Sequence, residues 1–359
     1  MAQWNGFEAD YKPQSSDLRD TCFSHYDKDR DGVLNATEFH TLCCDLFIVD
    51  GRQHVFSKTE SEVMMGILSS GKSGVIDKND FDFCWKNWFK QILNPKAALI
   101  VVDVQNDFVD GSMDLRNSPA GQDGAEVLPV INRLLDLAFD VVVYTKDYHP
   151  PDHVSFFKNL NLRKLHPSSH VNTEKAKMFD TVIFDSEPLV EQTLWPAHCV
   201  EGTKGAELHP DLKFVKDSLV HLKGTDPDVE SYSAFIDNKK RVNAALVADL
   251  KVRGVIDIYV CGLAFDVCVA MTSLDGQRLG YRVMVIEDAS RCTSFEKVEK
   301  MKREFLQAGC VIGTSLEVPS MLSGKTRLPQ WGLVAAQNAL KARVAQQPGY
   351  KGETKLDEQ

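Results

Sequence analysis

The sequence has no pair of cysteines at the CxxC spacing, although nine cysteines are scattered along its 359 residues. Neither a zinc ribbon nor a disulfide framework is therefore indicated. It also has no apolar run near the ~20 residues that a membrane span requires, and its N-terminus lacks the basic and apolar regions of a signal peptide. We therefore expect no membrane partner and a cytoplasmic location, with the nucleus left open.

Basic residues are outnumbered by acidic ones, and the formal net charge is -10 at pH 7. This argues against nucleic acid as the main partner, since phosphate binding favours a basic face. The hydrophobic content of 43% and charged content of 26% are ordinary for a globular protein. The length allows a large domain and a smaller one. These features fit a small-molecule enzyme or a cation-binding protein, and they leave a homo-oligomer open.

The chain changes character near Asn94-Pro95. Residues 1–94 are helical and aromatic in pattern, whereas residues 95–323 alternate short β-branched runs with helical segments. The runs are residues 98–104, 139–147, 218–224, 255–263, 281–288 and 310–313. Near-continuous apolar strands separated by helices predict an α/β domain with three layers and a mostly parallel sheet. Residues 157–194 interrupt the pattern as a long insertion, and we expect residues 324–359 to form a C-terminal helix and a disordered tail.

The segment DKDRDGVLNATE, residues 27–38, matches the twelve-residue calcium loop of an EF-hand. Oxygen-bearing side chains occupy loop positions 1, 3, 5, 9 and 12, a glycine makes the turn at position 6, and position 7 offers its carbonyl. These residues are, in that order, Asp27, Asp29, Asp31, Asn35, Glu38, Gly32 and Val33. The alternative is an acidic surface turn, which the filled pattern and the helical flanks disfavour. We expect Ca²⁺ here, in a small all-α EF-hand domain.

EF-hands usually occur in pairs, and residues 69–80, SSGKSGVIDKND, are the candidate second loop. This loop is degenerate: its first three ligand positions lack carboxylates, and Asp80 replaces the closing glutamate. We therefore expect weak or no calcium binding there. Leu34 and Ile76 occupy position 8 of their loops, so we expect a short β-bridge between them. Whether calcium regulates any activity is left open.

A candidate metal site follows the second predicted strand of the larger domain. Asp147 and His149 are two residues apart at the end of that strand, so they face the same way in an extended chain. His198, in the segment WPAHCV, offers a third ligand. One carboxylate and two imidazoles suit Zn²⁺, or Fe²⁺ and Mn²⁺ if water completes the coordination. The alternative for any of these histidines is a hydrogen-bonded core residue.

Cys268 is the candidate nucleophile, because it lies where a helix begins after the strand VIDIYVCGL. The helix dipole and the free N–H groups there can lower a thiol pKa from ~8.5 to roughly 3.5–7.5, and they can bind an oxyanion. Cys261 lies inside the strand and should be an inert core residue. Asp103 and Lys223 also end predicted strands. Asp103 is either functional or a loop cap, and a lysine such as Lys223 is most often solvated.

Five segments in order resemble the isochorismatase-like cysteine hydrolases, and among them most closely the nicotinamidases. The segments are VVDVQNDF, DYHPPDHVSF, WPAHCVEGT, LKGTDPDVESYSAF and GLAFDVCVAMT, which span roughly residues 98–312. The combination with an N-terminal EF-hand pair resembles the nicotinamidases of animals. The insertion at residues 157–194 is longer than in compact members, so lid contacts and any extra metal ligand do not transfer.

The resemblance assigns roles to residues that the sequence alone leaves open. It implies a catalytic triad of Asp103, Lys223 and Cys268, and a metal site, usually zinc, of Asp147, His149 and His198. His153 matches a position near that metal. Aromatic residues would flank the substrate ring, and an oxyanion hole would form from two backbone N–H groups beside a cis Leu263-Ala264 bond. The matching residues are Phe108, Trp195 and Tyr232 for the ring, and Ala264 and Cys268 for the oxyanion hole.

The resemblance implies hydrolysis of nicotinamide to nicotinate and ammonia through a thioester, as a step in NAD salvage. Two alternatives remain open. One is a related amidohydrolase acting on another small amide, which the metal trio disfavours. The other is a calcium-sensing binding protein with an inactive hydrolase fold, which the intact triad disfavours. A true isochorismatase does not need a cysteine nucleophile and is the least favoured.

Overall fold

The computed structural model describes residues 4–49, 51–71 and 74–345. The chain divides into two compact units. The helical unit comprises Met1–Pro95 together with Ser320–Gln359, and the sheet unit comprises Lys96–Pro319. Within the described ranges, no helix has both the length and the apolar character needed to cross a bilayer.

The N-terminal part of the helical unit consists of short helices joined by very short strands. The helices are α1 (Phe7–Asp10), α2 (Ser16–Tyr26), α3 (Ala36–Leu46), α4 (Lys58–Leu68), α5 (Lys78–Phe83) and α6 (Lys90–Leu93), with a π-helical stretch at Cys84–Phe89. The strands are β1 (Val33–Leu34), β2 (Ile48–Val49), β3 (Arg52–Gln53) and β4 (Ile76–Asp77). Asn35 begins α3 with a capping box in which Glu38 returns the hydrogen bond.

The first predicted loop, residues 27–38, and the degenerate second loop, residues 69–80, pair as expected. β1 and β4 run antiparallel, and Leu34 lies directly opposite Ile76. The predicted bridge between these two residues is therefore confirmed. Lys72 and Ser73 of the second loop lie outside the described residues.

The sheet unit is built on a six-stranded sheet in the order β12-β11-β10-β5-β6-β9, with every neighbouring pair parallel. This confirms the predicted mostly parallel sheet. Two further strands, β7 and β8, form a separate antiparallel hairpin within the insertion. The strands are β5 (Lys96–Val102), β6 (Val141–Asp147), β7 (Thr181–Phe184), β8 (Val190–Thr193), β9 (Leu219–Lys223), β10 (Val255–Leu263), β11 (Arg282–Arg291) and β12 (Val311–Gly313).

Helices cover the apolar sheet. They are α7 (Asn106–Val109), α8 (Leu128–Leu134), α9 (Ala244–Val252), α10 (Ala270–Arg278) and α11 (Phe295–Ala308). Alternate residues of β5, including Ile100 and Val102, share a core cluster with Leu246 of α9 and Phe305 of α11. Because side chains alternate along a strand, the residues between them face the opposite side of the sheet. The strands can therefore be apolar along their whole length, as their sequence pattern predicts.

The C-terminal helices are α12 (Val318–Leu322) and α13 (Pro329–Ala345). The sequence-based division placed residues 324–359 in a segment of their own. In the structure α13 instead belongs to the helical unit, where Ala335 and Ala336 join its aromatic core. The cause is a stripe of small and apolar residues on α13, which the unit buries. The predicted disordered tail, GYKGETKLDEQ at residues 349–359, lies outside the described residues.

Candidate active site

The carboxyl edge of the sheet brings together four side chains from neighbouring strands. Asp103 directly follows β5, Asp147 is the last residue of β6, and Lys223 is the last residue of β9. Cys268 lies in the helical turn Phe265–Val269 that follows β10. Since β10, β5, β6 and β9 are consecutive in the sheet, their ends meet at one place.

Lys223 connects the predicted catalytic residues to one another. Its Nζ atom lies 2.8 Å from Oδ2 of Asp103 and 3.4 Å from Sγ of Cys268. Thr145 donates its hydroxyl proton to Oδ1 of Asp103 at 2.6 Å. Apart from the ion pair with Lys223, Oδ2 of Asp103 has no hydrogen-bond partner among the described residues. This oxygen is therefore available to accept a proton from a neighbouring thiol.

Burial controls the ionisation of this cluster. It raises the pKa of Asp103 to about 6, against the opposing effect of the Lys223 ammonium, so the carboxylate is ionised at neutral pH. Burial would lower the pKa of Lys223, but Asp103 and Asp147 raise it well above its usual range. Lys223 therefore remains an ammonium ion although its side chain is buried.

The thiol of Cys268 differs from the sequence-based expectation. A position near a helix N-terminus predicts a lowered pKa, whereas burial and the nearby carboxylates of Asp103 and Asp147 raise it, although Lys223 acts in the opposite direction. The expectation considered the helix alone and omitted two negative charges that come from other strands. The resting thiol is therefore protonated and needs a base.

The predicted metal ligands also come together. Candidate ligand atoms of Asp147, His149 and His198 all lie within 4.8 Å of one another, and all three residues are buried. Oδ2 of Asp147 is 3.8 Å from Nε2 of each histidine. Burial lowers the pKa of His149 to about 4, so its ring is neutral at pH 7.

The outer nitrogens of both histidines are held by backbone carbonyls. Nδ1 of His149 lies 2.9 Å from the carbonyl oxygen of Gly224, and Nδ1 of His198 lies 2.7 Å from that of Pro196. Since a carbonyl can only accept, each Nδ1 carries the proton, and each Nε2 presents a lone pair to the site when its ring is neutral. Nε2 of His149 is buried without a hydrogen-bond partner in the described structure. This donor set fits a divalent metal ion.

Asp147 belongs to both clusters. Its second oxygen, Oδ1, forms an ion pair with Nζ of Lys223. Burial alone would raise the pKa of Asp147, but Lys223 and the two histidines lower it below its usual range. The carboxylate is therefore ionised and can serve a metal and the lysine through different oxygens.

A cavity is lined by residues of both clusters. Its wall includes Cys268 and His198 together with the three aromatic residues that the sequence assigned to a substrate ring, Phe108, Trp195 and Tyr232. The rings of Phe108 and His198 are 5.3 Å apart, and Nε1 of Trp195 donates to the Tyr232 hydroxyl at 3.0 Å. Ala264 also lines the cavity, and the Leu263-Ala264 peptide bond is cis, as the resemblance implied.

Two residues that sequence reasoning missed hold the metal-ligand segments in place. The buried Gln105 side chain donates to the carbonyl oxygen of Asp147 at 2.7 Å and accepts from its N–H at 2.8 Å. Oδ2 of Asp107 accepts from the N–H of Cys199, the residue after His198, at 2.7 Å. Both lie in the run QND just after β5, and this polar run at a buried strand end was the available signal.

Glu230 is a third residue that sequence reasoning missed. It is 3% exposed and lines the cavity. One of its carboxylate oxygens lies within 4.8 Å of ring nitrogens of His149 and His153. The His153 ring stacks on that of His149 with 4.1 Å between centroids, which places His153 beside the metal trio as the resemblance implied. The signal for Glu230 was an acidic residue in the segment that follows β9.

In the helical unit, part of the predicted calcium-ligand set is assembled. Candidate ligand oxygens of Asp27, Asp29 and Glu38 lie within 4.8 Å of one another. Oδ1 of Asp27 is buried and has no hydrogen-bond partner among the described residues. Oδ1 of Asp31 instead accepts from the N–H of Val33 at 2.9 Å. The loop thus gathers acidic oxygens around one point.

Comparison with known proteins identifies the family of the sheet unit. A family model described as an isochorismatase domain matches residues 97–316. The chain belongs to the isochorismatase family.

This isochorismatase-family chain is similar to curated enzymes over the same region. It is 37% identical over 214 residues to a nicotinamidase of Acinetobacter baylyi, which covers 59% of this chain and 90% of the relative. It is 39% identical over 213 residues to a nicotinamidase of Schizosaccharomyces pombe, which covers 59% and 90% of the two chains. Such relatives, together with the family match, identify a hydrolase that acts on an amide.

Solved structures agree with this similarity. A nicotinamidase and pyrazinamidase of Acinetobacter baumanii aligns with a TM-score of 0.52 and 35% identity, covering 63% of this chain and 99% of that one. A yeast nicotinamidase bound to the inhibitor nicotinaldehyde aligns with a TM-score of 0.51 and 28% identity, covering 61% and 99%. The matches thus cover almost all of each relative but leave more than a third of this isochorismatase-family chain unmatched.

Proposed function

We propose that the protein hydrolyses nicotinamide to nicotinate and ammonia, and that this reaction contributes to NAD salvage in the cytoplasm or the nucleus. The main observation is that Sγ of Cys268 lies 3.4 Å from Nζ of Lys223, which is itself paired with Asp103. Cys268 lines the same cavity as the Asp147 and His198 side chains. The similar enzymes of Acinetobacter baylyi and Schizosaccharomyces pombe are both named nicotinamidases, which supports this substrate.

The reaction begins with proton transfer within the buried triad. Asp103 accepts the proton of the Cys268 thiol, and the Lys223 ammonium stabilises the resulting thiolate. A pKa of about 6 leaves Asp103 ionised at neutral pH but basic enough for this step. Lys223 contacts both partners, so the positive charge is in place before the thiolate forms.

The thiolate then attacks the amide carbon of nicotinamide, and the N–H groups of Ala264 and Cys268 stabilise the oxyanion. Asp103 returns its proton to the nitrogen that leaves as ammonia, and a thioester remains on Sγ of Cys268. A water molecule then attacks this thioester, with Asp103 again acting as the base. Nicotinate is released, and the thiol of Cys268 is restored.

Asp147, His149 and His198 would hold a divalent metal ion, Zn²⁺ or otherwise Fe²⁺ or Mn²⁺. The inward lone pairs of the two histidines and the ionised carboxylate supply three ligands of the kind that such ions prefer. When bound, the ion would offer a Lewis-acid position for the pyridine nitrogen of the substrate. Phe108, Trp195 and Tyr232 enclose the same space and would flank the pyridine ring.

We also propose that the helical unit contains an EF-hand pair in which the first loop binds Ca²⁺. The support is the cluster of Asp27, Asp29 and Glu38 and the antiparallel pairing of the two loops. Asp31 and the carbonyl of Val33 would complete the ligand set at the positions that an EF-hand uses.

Neither alternative function requires all of the residues that are gathered at this site. A calcium-sensing protein with an inactive hydrolase fold would not need an aligned Asp103, Lys223 and Cys268. An amidohydrolase for another small amide would not need a metal trio facing the cavity. The observed geometry therefore favours nicotinamide hydrolysis over both.

Ammonia release from nicotinamide by the purified full chain tests this proposal. Cys268→Ala should abolish turnover and leave the metal content of the protein unchanged. Cys261→Ala is the matched control, because Cys261 is buried within β10 and its Sγ is directed towards the carbonyl of Ile100 at 3.8 Å. Retained turnover in Cys268→Ala, or no turnover of nicotinamide by the wild-type protein, would overturn the proposal.

A further inference from the structure

The C-terminal helix α13 inserts a stripe of small residues into the helical unit. Its buried positions are Trp331, Gly332, Ala335, Ala336 and Ala339, which share one face at helical spacing. Nε1 of Trp88 donates to the carbonyl oxygen of Gly332 at 2.9 Å. A Cβ atom at position 332 would overlap the ring of Phe47, so only glycine allows this close approach.

Arg343, near the end of α13, binds both ends of the second loop, residues 69–80. Its guanidinium donates to the carbonyl oxygen of Leu68, the last residue of α4, at 3.0 Å. It also lies 3.3 Å from Oδ1 of Asp80, which occupies the closing position of the loop. The guanidinium carbon is 3.7 Å from the centroid of the Phe83 ring, so the side chain is held on three sides.

Asp80 depends on this arginine for a compensating charge. Its side chain is only 4% exposed, and Oδ1 also accepts from the N–H of Ser70 at 2.9 Å. In a calcium-filled EF-hand the closing carboxylate is neutralised by the ion. Here the earlier ligand positions of the loop include Ser69 and Gly71, which offer no carboxylate. A buried carboxylate needs a partner, and α13 supplies one.

We propose that α13 occupies the surface of the paired loops that would otherwise bind a helix of another protein. We also propose that the Arg343 guanidinium supplies the positive charge of the second loop in place of a calcium ion. EF-hand pairs commonly bind an amphipathic helix from another protein on their apolar surface. In this chain the helix comes from the same polypeptide, so that surface is already filled. The guanidinium takes the electrostatic role of a second calcium ion, and it anchors the end of α13 beside the loop.

This inference goes beyond the proposed function, because it does not depend on calcium in the first loop. The antiparallel pairing of Leu34 with Ile76 connects the two loops directly. Holding the second loop through Asp80 therefore also restrains the first. We expect one calcium ion per chain at most, because the second loop already carries a positive charge.

Hydrogen exchange on the full chain tests the role of Arg343. In Arg343→Gln, amide protection in residues 328–345 and 74–80 should fall by about tenfold or more, because a charge-assisted contact and the cap on Leu68 are lost together. Lys341→Gln, an exposed position on the same helix, should leave both segments unchanged. Equal protection in Arg343→Gln and Lys341→Gln would overturn the proposal.

A second variant and a calcium titration complete the test. Arg343→Lys keeps the positive charge and should retain more amide protection than Arg343→Gln. If Arg343→Gln does not fold, Arg343→Lys is compared with the wild-type protein instead. Calorimetric titration of the wild-type protein with Ca²⁺ should give a stoichiometry no greater than one, and two ions per chain would contradict the assignment of Arg343. The absence of any calcium binding would refute the first-loop site and leave the exchange result for α13 as it stands.

Discussion

The proposed calcium ligands of the helical unit and the proposed metal trio of the sheet unit are built in opposite ways. In the helical unit, Asp27, Asp29 and Glu38 come from one short loop, and Asp29 is exposed to solvent. In the sheet unit, Asp147 and His149 come from the end of β6 and His198 from a distant segment, and all three are buried. A loop can gather oxygen atoms by its own turn, whereas the sheet site needs the end of β6 and the distant segment around His198 to be held together. In the buried site, therefore, neighbouring charges shift the pKa of each ionisable group.

Replacing the base should have the largest effect. In Asp103→Asn, kcat for nicotinamide should fall by about 100- to 10,000-fold, because an amide cannot accept the thiol proton. Metal content should be unchanged, since Asp103 is not among the proposed metal ligands. Steady-state ammonia release together with metal analysis measures both quantities. Asp110→Asn, an exposed position in the following loop, serves as the control.

The pH profile provides an independent check on Asp103. Because burial raises its pKa to about 6, the ionised base is lost as the pH falls through that value. Wild-type kcat/KM should therefore be half-maximal near pH 6, fall further below it and level off about one pH unit above it. An acidic limb near the ordinary aspartate pKa, about 3.9, would contradict the raised pKa of Asp103.

Removing a buried ligand should have the next largest effect. His198→Ala should weaken Zn²⁺ affinity by at least about 100-fold, because even residues that only orient a ligand contribute about 10- to 100-fold. Competition with a chromophoric chelator measures this affinity without any substrate. His209→Ala removes a histidine outside the trio, and an equal loss in that variant would contradict the assignment of His198.

A smaller loss of Zn²⁺ affinity is expected when the proposed ligand Asp147 is kept but the side chain that positions it is removed. Gln105→Ala removes two hydrogen bonds to the backbone of Asp147 and should weaken Zn²⁺ affinity by about 10- to 100-fold. The same chelator competition applies. Gln307→Ala, exposed on α11, should have no effect. If Gln105→Ala had the wild-type Zn²⁺ affinity, the hydrogen bonds from Gln105 would not be needed to position Asp147.

The smallest effect is expected in the calcium loop. Glu38→Gln should weaken Ca²⁺ affinity by about tenfold or more, because the loop loses its closing carboxylate while its other oxygens remain. Calorimetry with Ca²⁺ measures the change, and Glu62→Gln, exposed on α4, is the control. Unchanged affinity in Glu38→Gln would place any calcium ion elsewhere.

The same contrast explains what the sequence could predict. The calcium loop is contiguous, so spacing alone indicated Asp27, Asp29 and Glu38. The parallel strands were evident from their apolar runs, and their ends pointed to Asp103, Asp147 and Lys223. The resemblance to a family then supplied their roles.

Other features depend on contacts between distant parts of the chain and were missed. Gln105 acts on Asp147, and Arg343 acts on Leu68, 275 positions away. The pKa of Cys268 is raised first by burial and then by the carboxylates of Asp103 and Asp147 from other strands, whereas the sequence showed only the local helix. Local sequence patterns therefore predicted the helices, the strands and many site residues. The pKa values of those residues depend on contacts between distant parts of the chain.

The most direct test of the account is mass spectrometry of the protein after rapid acid quenching during turnover of nicotinamide. The proposed mechanism predicts a nicotinoyl group on the peptide that contains Cys268, and no such adduct in Cys268→Ala, which should release no ammonia. A nicotinoyl adduct on another residue, or ammonia release by Cys268→Ala at the wild-type rate, would contradict it.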